Sequence, residues 1–303
     1  MLDSTVTARA DEYAAQFQQR DPFRHVVIEN FFAPGDADRL LAEFPHFERG
    51  NARNENGTLG NKSTIEKIRD IGGAYAALDD LIKSDAFLAT VSRITGIPNL
   101  LYDPWYFGGG THESRNGQDL DAHVDFNRHP IEPWHRRLNL IVYLNHEWEP
   151  GWGGTLQLHS DPRASDNRTK DVLPLFNRAV IFETTEWSWH GFPPISLPHE
   201  RADTTRRSIA LYFYSAERPP EELAPTHSTI YVDRPLPERY RPGYTLSGDD
   251  VQELRILLAR RDQHNQRLYR DISSLTERVE NANGPFLQNA AKLVKRLVGR
   301  LSR

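Results

Sequence analysis

Residues 119–125 read Asp119-Leu120-Asp121-Ala122-His123-Val124-Asp125, and the 303-residue chain is best understood outward from them. Successive side chains on a strand point to opposite faces, so His123 and Asp125 project from the same side. A third donor stands downstream in Trp187-Ser188-Trp189-His190-Gly191. Two ligands from one strand and one from a distant strand can occupy one face of a metal's coordination sphere. Three positions then stay open, the 2-His-1-carboxylate arrangement.

Spacing alone is weak evidence. With 12 histidines and 42 acidic residues, about two His-x-Asp/Glu triplets arise by chance. Three occur: His46-Phe47-Glu48, His123-Val124-Asp125 and His159-Ser160-Asp161. The first follows a helical pattern, and the last lies where an apolar strand gives way to polar Ser160–Asp171. Only His123 and Asp125 sit inside a strand pattern with further strands downstream. His129, His135 and His146 lie in loops or at a strand end and are weaker ligand candidates.

Sixteen residues after His190, Arg206-Arg207-Ser208 opens the apolar run Ile209–Tyr214. Alternation puts Arg206, Ser208, Ala210 and Tyr212 on one face. An Arg with a hydroxyl two residues on can hold a carboxylate bidentately. A solvated strand-end Arg is the plainer alternative.

With these pieces in order, Pro22–Tyr214 resembles the Fe(II)/2-oxoglutarate-dependent oxygenases, specifically their prolyl-4-hydroxylase-like branch. By that resemblance His123, Asp125 and His190 match the iron ligands. Arg206 matches the residue that pairs with the distal carboxylate of 2-oxoglutarate, with Ser208 as a second contact. Tyr106-Phe107-Gly108-Gly109-Gly110 resembles the Tyr-x-Gly segment before the His-x-Asp strand, which makes Tyr106 a co-substrate candidate. Leu140–Asn145 resembles the strand whose Tyr, here Tyr143, reaches the co-substrate. Gly153-Gly154-Thr155-Leu156 and Asn177–Phe182 match two further strands. The long Pro193–Thr205 connection leaves Arg207 as an alternative anchor. The resemblance implies Fe(II), 2-oxoglutarate, O2 and ascorbate as cofactors. It also implies hydroxylation of an unactivated C–H bond, with release of succinate and CO2. A prolyl residue or an amino-acid-type substrate is expected. A membrane-linked glycan or lipid, or a non-oxidative cupin-like barrel, is the alternative.

Composition sets the bounds. Net charge is −5, which argues against nucleic acid as main partner, since a phosphate backbone calls for a basic face. Zero Cys removes disulfides, thiolate metal sites and Cys nucleophiles together. Met1-Leu2-Asp3-Ser4-Thr5 has neither the basic nor the apolar part of a signal peptide. No apolar run reaches membrane-spanning length. A cytoplasmic protein is the expectation, with a peripheral role at the inner membrane surface left open by the C-terminal end.

Three regions follow. Residues 1–98 are a helical support region: a helix over 3–20, a strand at His25–Ile28, a helix from Pro34 to Phe44, a loop over Gly50–Ser63, and helices over Gly73–Leu81 and Ser84–Thr95. Residues 99–242 carry short strands: Leu100–Phe107, Asp121–Asp125, Leu138–Leu144, Thr155–Leu158, Ala179–Phe182, Ser188–Gly191, Ser208–Tyr214 and Ser228–Val232. Many short strands with Gly/Pro turns mean a sandwich or barrel. The resemblance makes it a double-stranded β-helix of the jelly-roll kind, so the fold class is mainly β with flanking helices (α+β). Pro219–Pro242 reads as a linker.

Residues 243–303 form a C-terminal helical extension. Val251, Leu258, Ile272 and Val279 fall at heptad position a with Asn265 among them. Leu254, Leu268 and Leu275 fall at d with Arg261. About four heptads permit a homodimeric coiled coil over 251–279; a helix packing on its own barrel is the alternative. Gly284-Pro285 is expected to end this helix. Phe286–Arg303 is then a basic amphipathic helix that could meet an anionic membrane or a partner, or be solvated.

Overall fold

The computed structural model describes residues 1–19, 21–49, 62–233 and 236–301, with side chains, Arg49 apart, to residue 277. The loop expected over Gly50–Ser63 therefore falls almost entirely outside the described residues, as do the side chains of the basic C-terminal segment. Two compact units emerge, Met1–Val232 and Asp233–Arg303.

The N-terminal helical stretch is two pieces, α1 (Ser4–Ala8) and α2 (Ala10–Phe17), rather than one. Arg9, at φ −99° and ψ 16°, leaves helical geometry between them. Strand β1 (His25–Ile28) and helix α3 (Pro34–Ala42) follow, the latter with Pro at its start, where a missing N–H costs nothing. After β2 (Ser63–Ile65) come α4 (Gly73–Ile82) and α5 (Asp85–Thr95). The Ser84 hydroxyl caps α5 by accepting from the Phe87 N–H at 3.3 Å, and Gly96, at φ +72°, closes it.

The remaining strands are β3 (Leu101–Tyr102), β4 (Gly110–Ser114), β5 (Leu120–Val124), β6 (His135–Tyr143), β7 (Leu156–His159), β8 (Thr169–Val172), β9 (Ala179–Glu183), β10 (Trp189–Phe192), β11 (Arg206–Ser215) and β12 (Ile230–Tyr231). They form two antiparallel sheets. One is ordered β1-β9-β6-β11-β4-β2 with β3 on β11, the other β12-β5-β10-β7-β8. From β4 to β11 the chain alternates between the sheets, except that β7 and β8 are neighbours in one. This winding is a double-stranded β-helix. The strands β2, β4 and β8 escape sequence reading because they are polar: Thr169-Lys170-Asp171, for instance, is exposed and held in β8 by pairing with β7.

Period-2 alternation divides the larger sheet. Leu138, Leu140 and Val142 of β6, with Ile209, Leu211 and Phe213 of β11, face outward and pack in one core with α2, α4 and α5 residues such as Phe17, Tyr75 and Phe87. Burying each such aliphatic or aromatic side chain contributes about 1.5–3 kcal/mol. The inward faces meet between the sheets, where Tyr143, Val180 and Phe182 pack against Leu156, Leu158 and Val172. That inner space holds the polar groups described below.

The second unit is organised by helix α6 (Gly248–Leu301). The Asp250 carboxylate accepts from the Ser247 N–H at 2.8 Å, the Tyr244 hydroxyl at 2.9 Å and Arg239 Nε at 3.1 Å, which fastens the approach to the helix. The helix runs unbroken through Gly284-Pro285, contrary to the stop expected there. A proline in a long helix removes one backbone hydrogen bond, and here helical backbone continues on both sides of it. No helix among the described residues is long and apolar enough to cross a membrane.

Candidate metal centre

Two neighbouring strands of the smaller sheet bring the histidines together. His190 of β10 stands opposite His123 of β5 in register, and their ring centroids are 4.3 Å apart. Close approach of these strands needs Gly191, because a Cβ there would lie 2.5 Å from the Leu120 carbonyl oxygen. Each ring is aimed by its own backbone: His123 Nδ1 donates to the Asp121 carbonyl and His190 Nδ1 to the Ser188 carbonyl, both at 2.9 Å. That leaves both Nε2 atoms as acceptors turned toward Asp125, a histidine orientation suited to a metal ligand. Asp125 Oδ1 lies 3.7 Å from His123 Nε2, and Oδ2 lies 3.5 Å from His190 Nε2. Donor atoms of the three residues all fall within 4.8 Å of one another, and among the described residues they make a group able to hold a metal.

Protonation favours the same role. Burial first, then the neighbouring His190, pushes the His123 imidazole down to about 3. Burial likewise lowers His190. Burial alone would raise Asp125, but Arg136 and the two imidazoles outweigh it and hold the carboxyl well below the usual range. Two neutral imidazoles and an ionised carboxylate form a donor set that fits Fe(II).

Arg136 and Asn139 complete the shell around Asp125. Asn139 Nδ2 donates to Asp125 Oδ2 at 2.7 Å, and Arg136 Nη2 lies 3.1 Å from the same oxygen. The Arg136 guanidinium is fixed by the Asn139 carbonyl oxygen at 2.7 Å and sits over the rings of Tyr212 at 3.6 Å and Phe126 at 4.3 Å. Only 1% of this residue is exposed. Arg136 is therefore a buried member of the site rather than a solvated strand-end residue. A register shift between β6 and β11 at Phe213/Tyr214 puts one extra residue in β6. Arg136 and Asn139, three apart, therefore share a face that simple alternation would deny them.

Arg206 enters the inner face from β11. It is 5% exposed; its Nε donates to the Gly154 carbonyl at 2.6 Å and its Nη2 to the Tyr143 hydroxyl at 3.3 Å. The guanidinium covers the Phe192 ring at 4.2 Å. Burial pushes Arg206 down, opposed by Tyr143, and burial raises the Tyr143 hydroxyl. Gly153 and Gly154, at φ +66° and +63°, shape this wall: a Cβ on Gly154 would lie 3.3 Å from Arg206 Cδ. Arg207 points the other way, with Nε donating to Glu113 at 3.1 Å. Ser208, 2% exposed, pairs in register with Tyr143 on one side and His112 on the other.

Not every expected residue joins. Tyr106 is buried in the outer core, its hydroxyl donating to Asp79 Oδ1 of α4 at 2.8 Å. It therefore serves the helix–sheet contact rather than the inner face, and its placement as a co-substrate residue is corrected. His129 accepts the backbone N–H groups of Ile131 and Glu132 on Nδ1, at 3.1 and 2.9 Å, and packs on Trp105 and Trp134. His146 stacks on Phe176 at 4.0 Å. Neither belongs to the cluster. Trp152 packs on Trp148 in a small core.

One inner-face residue goes unnoticed in the sequence. His112 of β4 stands opposite Ser208, and burial keeps its ring well below the ordinary histidine value. Its strand, Gly110-Thr111-His112-Glu113-Ser114, carries no apolar alternation to announce it.

Part of the chain is similar to known proteins. Residues 109–214 match the sequence model of the 2OG-Fe(II) oxygenase superfamily. The mouse (Mus musculus) prolyl 3-hydroxylase OGFOD1 is 26% identical over 221 residues, 68% of this chain but 35% of that protein. The chain thus spans about a third of the length of this relative. A prolyl hydroxylase from Trichoplax adhaerens, solved with a hypoxia inducible factor peptide fragment, aligns with a TM-score of 0.49 at 16% identity, covering 70% of this chain and 94% of that one. A Pseudomonas putida prolyl-4-hydroxylase aligns with a TM-score of 0.43 at 18% identity, covering 69% and 98%.

Proposed function

We propose that this chain, whose residues 109–214 match the 2OG-Fe(II) oxygenase superfamily model, is a prolyl-4-hydroxylase-like oxygenase that hydroxylates a prolyl or other amino-acid-type substrate. The observation that carries the reading is a pair of buried features on the two sheets: the His123/Asp125/His190 cluster at the smaller sheet and the buried Arg206 of the larger one.

In this reading His123, Asp125 and His190 hold Fe(II), and Arg206 holds the distal carboxylate of 2-oxoglutarate. Bound there, iron with 2-oxoglutarate and O2 supplies the oxidation that yields succinate, CO2 and a hydroxylated substrate carbon. The chain's own residues orient and exclude water. The carbonyls of Asp121 and Ser188 fix which imidazole nitrogen faces the centre. Arg136 and Asn139 hold the Asp125 carboxylate in one rotamer. Tyr143 steers Arg206, and Phe192 shields its guanidinium from water, which strengthens its pairing with a carboxylate. A proton-transferring base is not required.

A prolyl substrate is supported by the mouse relative, whose name is prolyl 3-hydroxylase. A barrel that merely binds metal has no use for a buried guanidinium on the other sheet, so the oxidative reading is preferred. The test is to incubate the full chain with Fe(II), 2-oxoglutarate, ascorbate and proline-containing peptides. Succinate formation together with a peptide mass gain of one oxygen supports the proposal. Metal binding without succinate from any peptide or amino acid would overturn it.

A further inference from the structure

Helix α6 carries an apolar stripe that is open to solvent. Val251, Leu258, Leu268, Ile272 and Leu275 are between 37% and 58% exposed, and with half-buried Leu254 they occupy heptad positions a and d. Two stripe positions are polar and also exposed: Arg261 at d and Asn265 at a. Exposed apolar residues at this spacing mark a helix that pairs.

We propose that the stripe pairs with the same stripe of a second copy, the two helices running antiparallel about a two-fold axis at Gln263. The choice of orientation comes from the two polar positions. In a parallel pair every core residue faces its own counterpart. Arg261 would then lie against the partner's Arg261, and two permanently charged guanidinium groups would share one core layer. In an antiparallel pair each a residue packs against a d residue. With the axis at Gln263, Leu258 meets the partner's Leu268, and Val251 meets the partner's Leu275. Leu254 meets the partner's Ile272. Arg261 meets the partner's Asn265, whose side-chain oxygen accepts from the guanidinium.

Every apolar position thus finds an apolar one, and the polar positions find each other. A slip by one heptad would set Arg261 against Leu258 or Ile272 of the other chain and leave its donors without an acceptor, so a single polar layer fixes the register. The contact is isologous and closes on itself, as a two-fold dimer requires. Residues 251–275 span about 36 Å of helix at 1.5 Å per residue. This inference stands apart from the hydroxylase reading, and neither fails with the other.

The chain has no cysteine, so single substitutions report contacts in the full-length protein without background. Leu258→Cys and Leu268→Cys are purified separately, then mixed under a mild oxidant. The antiparallel dimer predicts a disulfide-linked species in the mixture and none in either variant alone. Sedimentation of the wild type should give twice the chain mass. Asn265→Arg should weaken the dimer at least about tenfold, and adding Arg261→Asn should restore it, because the exchange recreates the same pair on the other strand. Cross-linking of each variant by itself would show a parallel pair, and a monomeric wild type would remove the dimer; either result overturns the proposal.

Discussion

Arg136 and Asp125 form a buried ion pair, Nη2 to Oδ2 at 3.1 Å, in which the cation also packs over the rings of Tyr212 and Phe126. The carboxylate is offered to a metal with one oxygen already committed to Arg136 and Asn139. Its direction is set by neighbours rather than by its own flexible stem.

Arg136→Lys keeps the charge but loses the planar fork and the stacking. Fe(II) affinity is expected to fall by about 10–100-fold, measured by competition with a coloured chelator. The absorption of the Fe(II)–2-oxoglutarate complex should shift as well, which a purely structural residue would not cause. Unchanged affinity with a lowered melting temperature would assign Arg136 to stability alone.

Tyr106→Phe removes a hydroxyl that bonds Asp79 on the outer side of the sheet. Stability should fall by about 0.5–1.5 kcal/mol in urea unfolding, while the KM for 2-oxoglutarate stays as in wild type. A raised KM would return Tyr106 to the co-substrate site.

Gly154→Ala places a Cβ at 2.9 Å from a Trp148 ring carbon and 3.3 Å from Arg206 Cδ, at a backbone φ of +63°. Strain at such a position costs about 1–3 kcal/mol, and the new Cβ forces Trp148 to shift and crowds Ile195 and Arg206. Both a lower melting temperature and a higher KM for 2-oxoglutarate are expected. Loss of stability with an unaltered KM would show that the wall adjusts without disturbing Arg206.

The metal-free protein should weaken in acid. His123, lowered to about 3, and His190 and His112, lowered by burial, stay neutral when folded; unfolded, each titrates near 6.5. The unfolded chain therefore takes up more protons below pH 6.5, and stability present above that value is lost as pH falls toward the folded values. For a His neutral throughout, the loss from pH 6.5 to 5 is about 2 kcal/mol. Melting with chelator present measures it; a flat profile from pH 7 to 5 would contradict burial of these rings.

Much of the site was legible because strand alternation is a rigid rule. His123 and Asp125 come within 3.7 Å of each other although Asp125 lies one residue beyond β5, His190 stands opposite His123 in register, and Arg206 points in where Arg207 points out. What stayed hidden broke that rule or lacked its signal. Arg136 reaches Asp125 only through a bulge in β6. Tyr106 lies in a turn at φ +52°, where strand alternation says nothing about direction. The polar strands β4 and β8 exist through pairing rather than through their own residues. Gly284-Pro285 reads as a stop, yet α6 passes through it.

On the proposed reading, Fe(II) is held by His123, Asp125 and His190 and 2-oxoglutarate by Arg206. Anaerobic protein mixed with Fe(II) and 2-oxoglutarate should develop the weak visible charge-transfer band of the chelated co-substrate. Arg206→Ala should need far more 2-oxoglutarate to reach it, and His190→Ala should show none. A wild type that binds Fe(II) and gives no band at any 2-oxoglutarate concentration would show that Arg206 and the cluster do not form a 2-oxoglutarate site.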